Sequence, residues 1–585
     1  MRIKTTDLIA NFFKSKGISQ VFGVTGGAAV HLFDSYAKKK FKIIFTHHEQ
    51  SAAFAVCSYY KSNNKMAICT TTTGPGCTNA ITGLAAAWQD SIPSIFISGQ
   101  ARSNQLSIDS KTRQVGTQEI NSIDIVKSIT KMSVILNEKD NIKQVLNDAY
   151  NIALNGRPGP VWIEVPLDLQ LKFVENNPYL TKKNKKLTSL RKSESNKISE
   201  IKKLISSSKL PMVVAGGGII SSKTYNDFKK FIKKFKIPYV CTWLGVNLSK
   251  LNSLLYQGRI GIAGQRGANI LINNCDLLIV LGSHLCLPQT GVNTDIFSQK
   301  SKKILINIDK KEYKSSKIKF DKYLDIDLKL FFKEINKNQK KIKRNLPFKK
   351  LRILKSLNNI DKIHQLEKNK INQYYFTNCL NKFSKGNENY IIDGGGTTVY
   401  ISYQALELKK NQKIFHTASI CSMGSGLPEA IGAATNKKNI ICLIGDGSLM
   451  FNMQELQTIQ TNNLPVKIIV FNNNGYVSIR DTQKDFLNSK FYGSSINGGL
   501  EITKIKKIAL TFGYKYIFLK KKKDIKKKIF NFLKLKSNSI MEVSIDESQM
   551  IAPKQVFIKS KKGIGTPSGL DNMYPYIDYK SFLDF

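Results

Sequence analysis

Short, unbroken apolar runs alternate along the chain with longer stretches whose apolar positions recur every three to four residues. The runs end in glycine or small polar residues, as strands of parallel sheets buried on both faces do. The longer stretches read as the amphipathic helices that connect them. The pattern predicts an α/β protein of doubly wound parallel sheets. Near the N-terminus, Thr5–Gly17 is a helix with Leu8, Ile9, Phe12 and Phe13 on one side, and Val21–Val24, Lys42–Thr46, Met66–Thr70, Ile95–Ser98 and Val161–Val165 are strands. Pro211–Ala215, Tyr239–Trp243, Leu277–Leu281 and Ile304–Ile308 are strands of a middle unit. Ile440–Ile444 and Val466–Phe471 are strands of a third, joined by one helix carrying Leu449, Met453, Leu456 and Ile459. Polar, Lys-rich stretches set the divisions: domains at 1–170, 199–330 and 371–550, linkers at 171–198 and 331–370, and a tail at 551–585 that reads as a cover for the site.

Length supports this division, because 585 residues suit about three domains. No apolar run reaches membrane-spanning length, and the N-terminus lacks a signal-peptide layout. Nine cysteines without a CxxC pair or metal-ligand spacing read as reduced thiols, which points to the cytoplasm. The net charge of +48 changes the picture more. It is the footprint of a nucleic-acid or anionic-surface binder. It is equally what an AT-rich genome produces, since Lys, Asn, Ile, Phe and Tyr are abundant together. The basic runs at Lys182–Lys186, Lys340–Lys350 and Lys520–Lys528 carry no interleaved aromatic platform, which argues against nucleic acid and against a membrane.

Two stretches carry candidate chemistry. Gly445-Asp446-Gly447 ends one apolar run, and Asn472-Asn473-Asn474-Gly475 ends the next, with 24 residues between Gly447 and Asn472. Asp446 and Asn473 are hard oxygen donors at strand carboxyl ends, where open α/β sheets bind ligands. They suit Mg2+, which takes one or two protein oxygens together with phosphate oxygens. The glycines let backbone N–H groups approach a diphosphate. Alone, Gly-Asp-Gly is a plain turn. Glu49 follows a strand and opens an apolar helix. It is either a first-turn carboxylate favoured by the helix dipole or a desolvated carboxyl with a raised pKa that holds a proton near neutrality.

The stretch 440–476 resembles the thiamine-diphosphate signature. Phe22–Ala28, His48-Glu49-Gln50, Gly74–Asn79, Trp88–Pro93, Gly99-Gln100, Gln118-Glu119 and Arg157–Pro160 stand in an order similar to the acetolactate synthase family (large, catalytic subunit). The resemblance covers most of the chain. It implies three domains: pyrimidine-binding, central Rossmann-like and diphosphate-binding. Asp446, Asn473 and the Gly475 carbonyl would hold Mg2+. Gly395, Gly396 and Thr397, where the family has Gly-Gln-His, would meet the phosphates together with Gly445, Gly447 and Ser448. Met423 would prop the bent cofactor, the Cys421 carbonyl would meet its pyrimidine amino group, and Glu49 would bind its pyrimidine nitrogen. Gln118 and Gly27 would line the substrate pocket.

The resemblance further implies a homodimer or homotetramer, with Glu49 and the Mg2+ site from different subunits, and a regulatory subunit in some members. FAD would sit in the central domain at Gly216-Gly217-Gly218. Because Ser283–Gly291 departs from the family's Arg-Phe-Asp-Asp-Arg type, FAD stays open. The activity implied is a carboligase: decarboxylation of a 2-keto acid, pyruvate first, then acyl transfer to a carbonyl acceptor. Thr482 stands where the family has an acceptor-selecting Trp, and Thr117 where it has a Phe, which admits a larger or more polar acceptor such as a keto-sugar of surface-polysaccharide biosynthesis. The alternatives are a 2-keto acid decarboxylase, whose usual paired histidines His47-His48 match poorly, and a basic nucleic-acid-binding module.

Overall fold

The computed structural model describes residues 2–107, 112–178, 190–250, 254–337, 342, 344–358, 370–558 and 565–578. Three all-parallel sheets follow one another along the chain. The first runs Lys42–Phe45, Gln20–Gly23, Ile68–Thr71, Ser94–Gln100, Pro160–Pro166, Met132–Ile135 in spatial order. Its two longest strands are buried at every position, as strands covered by helices on both faces must be. Met132–Ile135 is a half-buried edge strand, and its mixed surroundings hide it from an apolar-run reading.

The second sheet runs Tyr256–Arg259, Tyr239–Cys241, Pro211–Ala215, Leu277–Leu281, Lys302–Asn307, Lys322–Asp325. Its first strand in sequence lies inside. The chain winds outward to one edge, then crosses back to build the other half. The winding therefore reverses between Pro211–Ala215 and Leu277–Leu281. The third sheet runs Asn389–Ile392, Ile440–Gly445, Val466–Asn472, Ser539–Ser544, Lys515–Leu519.

Several boundaries move. The helix expected between the two central strands of the third sheet is two pieces, Asp446–Leu449 and Glu455–Thr461. Asn452 lies in the break, and its side chain bonds Gln50, Ser51 and the Gly424 carbonyl instead of facing a helix surface. The 171–198 linker contains strand Phe173–Glu175, paired antiparallel with Arg2–Lys4, and the start of helix Lys192–Ser207. Its Lys182–Lys186 run lies outside the described residues. In the 331–370 linker, helix Phe348–Ser356 buries Leu351 and Leu354 in the central core, while 338–341, 343 and 359–369 lie outside the described residues. The described part of the tail docks on the central domain. Arg266 Nη1 donates to the Met573 carbonyl at 2.9 Å, and Gln555 N to that of Ile262 at 2.8 Å. Residues 559–564 and 579–585 lie outside the description. No helix among the described residues is long and apolar enough to cross a membrane.

The first and third domains share a core. Helix Glu49–Asn63 presents Ala55 and Ser58 to Gly432 of helix Gly426–Ala434, and Ser62 Oγ donates to the Ala433 carbonyl. The backbones approach so closely that a Cβ on Gly432 would stand 1.9 Å from the Ala55 carbonyl oxygen. Only glycine fits that crossing.

Candidate functional site

At the carboxyl edge of the first sheet, Glu49 opens its helix behind His48, whose Nδ1 accepts the Gln50 N–H at 3.1 Å. Glu49 is half-buried in the single chain rather than largely desolvated, because its helix N-terminus faces the open edge of the sheet. Its Oε2 accepts from Asn79 Nδ2 at 3.0 Å, and Gly76 leaves room beside Oε1, 3.6 Å from where a Cβ would stand. Gly27 sits in the turn after Gln20–Gly23, where Ala28 N donates to Thr72 Oγ1 at 3.3 Å. Gln118, exposed and at φ +57°, lays its carbonyl against Gly74, 2.4 Å from the place of a Cβ. Glu49, Gly27 and Gln118 therefore stand around one set of strand ends. Glu119, which the sequence marks only as part of a motif with no role assigned, is buried: its carboxylate accepts Ser107 N, Ser107 Oγ and Val115 N and orders this loop.

The second constellation is at the carboxyl edge of the third sheet. Asp446 is 2% exposed. Its Oδ1 accepts Gly447 N at 2.9 Å and its Oδ2 accepts Gly475 N at 3.0 Å, which ties the two strand ends together. Burial pushes its carboxyl up to about 6 against the pull of these bonds. Asn473 is also buried. Its Nδ2 donates to Thr397 Oγ1 at 3.4 Å, while its Oδ1 has no hydrogen-bond partner. A buried acceptor left unpaired costs about 1–3 kcal/mol. A cation beside Asp446 removes that cost.

The glycines around this pair make a cradle. A Cβ on Gly395 would stand 2.3 Å from Ser448 Oγ and 3.1 Å from Met423 Cγ, and one on Gly447 would strike the Tyr476 ring at 2.2 Å. Asp393 holds the cradle from below, accepting Gly395 N at 3.0 Å and Gly426 N at 2.9 Å. Gly395, Thr397, Met423, Gly445, Gly447, Ser448 and Gly475 thus border Asp446 and Asn473 directly or through these contacts; Gly396 stands between Gly395 and Thr397, and the Cys421 backbone lies against Gly394, 2.4 Å from the place of a Cβ. Among the described residues no three His, Cys, Asp or Glu form a metal-holding group. A cation here needs further oxygens from an anionic cofactor, which is how Mg2+ is usually held. The donor set therefore fits Mg2+ and a diphosphate.

Among the described residues no hydrogen bond joins Glu49 to this second constellation. The nearest link is Asn452 Nδ2, which donates to Gln50 Oε1 at 3.0 Å and to the Gly424 carbonyl at 2.9 Å. A second link runs through Asp90, which the sequence shows only as part of the Trp88–Pro93 motif. Asp90, its side chain 0% exposed, accepts Ala418 N and Ser419 N at 3.0 Å each and Lys61 Nζ at 2.7 Å. Lys61 also donates to the His416 carbonyl. This pair of the first domain fixes the segment that leads into Cys421, itself at φ +52°.

A cavity of about 270 Å³ opens at the winding reversal of the central sheet, lined by Gly217, Trp243, Gly282, His284, Arg157 and His416. The two strand-end turns touch there, since a Cβ on Gly216 would stand 2.3 Å from the Gly282 carbonyl oxygen. This is the crevice in which doubly wound sheets bind nucleotides.

Comparisons with known proteins match these three units in turn. Residues 3–125 match the thiamine pyrophosphate enzyme N-terminal TPP binding domain, 198–331 the central domain and 393–543 the C-terminal TPP binding domain. The acetolactate synthase large subunit of Cyanidium caldarium is 29% identical over 558 residues, covering 92% of this chain and 93% of its own. The acetolactate synthase isozyme 2 large subunit of Escherichia coli (strain K12) is 26% identical, covering 93% and 96%. The acetolactate synthase large subunit of Buchnera aphidicola subsp. Schizaphis graminum is 28% identical, covering 94% and 96%.

Proposed function

Because the chain belongs to the thiamine pyrophosphate enzymes and is an acetolactate synthase-like member of them, we propose that it is a thiamine-diphosphate- and Mg2+-dependent carboligase. Its donor is a 2-keto acid, pyruvate in the first instance, and its acyl unit passes to a carbonyl acceptor. The observation that carries the metal part is the buried, unpartnered Oδ1 of Asn473 beside the buried Asp446 carboxylate.

When bound, thiamine diphosphate would supply a carbon nucleophile, once deprotonated, for the donor carbonyl and an electron sink for the pair released with carbon dioxide. This chain's residues do the rest. Asp446, Asn473 and the Gly475 carbonyl hold the cation. Gly395, Gly396, Thr397, Gly445, Gly447 and Ser448 let the phosphates approach the backbone. Met423 wedges the cofactor, and the Cys421 carbonyl orients its amino group. Glu49 holds and moves a proton at the pyrimidine nitrogen. Gly27 and Gln118 line the donor side. Glu49 acts across a homodimer, or a homotetramer built from such dimers, on the Asp446 site of a second copy. A regulatory subunit and a cytoplasmic location complete the reading. The central crevice would hold FAD: Gly216–Gly218 and Gly282 bring backbone to the reversal point, and the tight turn at Gly216 leaves space only for main chain.

The acceptor need not be a second keto acid. Thr117 and Thr482 are both exposed and small where aromatic bulk would narrow the pocket, which suits a polar acceptor such as a keto-sugar. Simple decarboxylation is less favoured, because His48 is occupied in capping its helix through Nδ1. The test is carbon dioxide release from pyruvate with thiamine diphosphate and Mg2+, comparing wild type with Glu49→Gln. Turnover that the substitution slows greatly supports the proposal, and the product then separates ligation from decarboxylation. No binding of thiamine diphosphate at all would overturn it.

A further inference from the structure

One cation governs the shape of the turn that carries the metal ligands. Helix Val477–Phe486 begins directly after Asn473-Asn474-Gly475, so Arg480 points back over the turn it has just left. Its side chain is 12% exposed, and both terminal nitrogens of its guanidinium donate to main chain. Nη2 donates to the Asn473 carbonyl at 2.8 Å, and Nη1 donates to the carbonyls of Asn474 and Ser494, also at 2.8 Å. Ser494 in turn accepts Tyr476 N at 3.1 Å through the same carbonyl, and its Oγ donates to Gln483 Oε1 at 2.6 Å. The turn is thereby clamped between its own helix and the 494 loop.

The conformation held is an unusual one. Asn474 is at φ +55° and Gly475 at φ +113°. A Cβ on Gly475 would stand 3.2 Å from Arg480 Nη1 and 2.6 Å from the Ser494 carbonyl oxygen, so the turn lies directly against the guanidinium. Such a backbone persists only when its surroundings over-determine it. A planar fork with several donors can hold three carbonyls in fixed directions, which a lysine ammonium cannot do in the same geometry. The neighbouring Glu547 is a peripheral partner. Its Oε1 accepts Asn474 Nδ2 at 2.5 Å, its Oε2 stands 3.8 Å from Arg480 Nη2, and its side chain is 56% exposed.

We propose that Arg480 is a positioning residue for the metal turn: by fixing the Asn473 and Asn474 carbonyls it presents Asn473 Oδ1 and the Gly475 backbone to the cation. The inference rests on the reading of Asp446 and Asn473 as metal ligands. Groups that orient metal ligands from behind typically change metal affinity about 10–100-fold when removed.

The experiment is a calorimetric titration of Mg2+ into the full-length protein with thiamine diphosphate present. It compares wild type with Arg480→Met, Arg480→Lys, Glu547→Gln and Asp446→Ala. Arg480→Met weakens Mg2+ binding by about 10–100-fold. Arg480→Lys, which keeps the charge and loses the fork, falls between Arg480→Met and wild type. Glu547→Gln stays at the wild-type value, and Asp446→Ala abolishes binding. Arg480→Lys carries the test if Arg480→Met does not fold. Wild-type affinity in the Arg480 variants, with binding lost in Asp446→Ala, overturns the positioning role alone, whatever their thermal stability. Wild-type affinity in Asp446→Ala overturns the metal reading and this inference with it.

Discussion

Replacing Asp90 by Asn removes a charge and little else in shape, yet the structure assigns it a large cost. The Asp90 carboxylate is fully buried and accepts from three donors: Ala418 N, Ser419 N and Lys61 Nζ. Burial raises its pKa, but the Lys61 charge and these bonds outweigh it and leave the carboxyl below its ordinary value. An Asn presents one acceptor oxygen and turns an N–H toward the remaining donors. One buried backbone donor then goes unpaired, at about 1–3 kcal/mol. Lys61, 18% exposed, loses its partner with partial access to water. Breaking a fully buried pair costs about 3–5 kcal/mol, so a total of about 3 kcal/mol is a fair expectation. At about 2–4 °C per kcal/mol, the melting temperature falls by roughly 6–12 °C.

A double-mutant cycle with Lys61→Met separates the ion pair from the backbone bonds, because the pair term vanishes in the double variant. The pH dependence has a definite sign. A depressed folded pKa adds stability above the unfolded value, and this is lost as pH falls through the folded one. The wild-type advantage over Asp90→Asn therefore holds at neutral pH and shrinks below about pH 4, the ordinary carboxylate range. A change in melting temperature of less than 2 °C, or an advantage that persists undiminished at pH 3, would refute the reasoning.

Two further outcomes follow from the same geometry. Asp446 must be ionised to hold a cation, and burial places its carboxyl at about 6 in the metal-free protein. Mg2+ affinity therefore falls as pH drops through about 6, by up to tenfold per unit; a Kd that is flat between pH 7 and 5 contradicts the assignment. Gly432→Ala puts a methyl group 1.9 Å from the Ala55 carbonyl oxygen, and helix Glu49–Asn63 must shift to admit it. Overpacking of this kind costs about 1–3 kcal/mol, read as a lower denaturation midpoint and increased proteolysis of the first domain.

Much of this architecture is legible in the sequence because buried parallel strands are written as apolar runs. Pro211–Ala215 and Leu277–Leu281 are found with the bounds first read. Met132–Ile135 and Lys322–Asp325 escape notice at sheet edges, where half-exposure removes the apolar signature; Ser539–Ser544 escapes although it is interior and buried, because Ser539, Glu542 and Ser544 break its apolar run. At the site, Asp446 and Asn473 stand out because residue type and spacing are local. Asp90 and Arg480 do not, because most of their hydrogen-bond partners are backbone atoms. A carbonyl or N–H carries no residue label, so a side chain that works by gripping main chain leaves almost no trace in a one-dimensional pattern. The division of one expected helix at Asn452 has another origin: its side-chain partners Gln50 and Ser51 are some four hundred positions away.

The shared core of the first and third domains has a consequence for how the molecule is made. Ser62 Oγ reaches the Ala433 carbonyl across 371 residues of chain. On the ribosome the small-residue face of helix Glu49–Asn63 emerges long before helix Gly426–Ala434 exists to cover it. Most of the central domain, which has its own separate core completed by Leu570 of the tail, is made in between. Loop closure over that distance is slow, and the waiting face is apolar. The first domain is thus an early-born half of a unit completed last. Nascent chains stalled before residue 434 would be the form of this protein most dependent on chaperones.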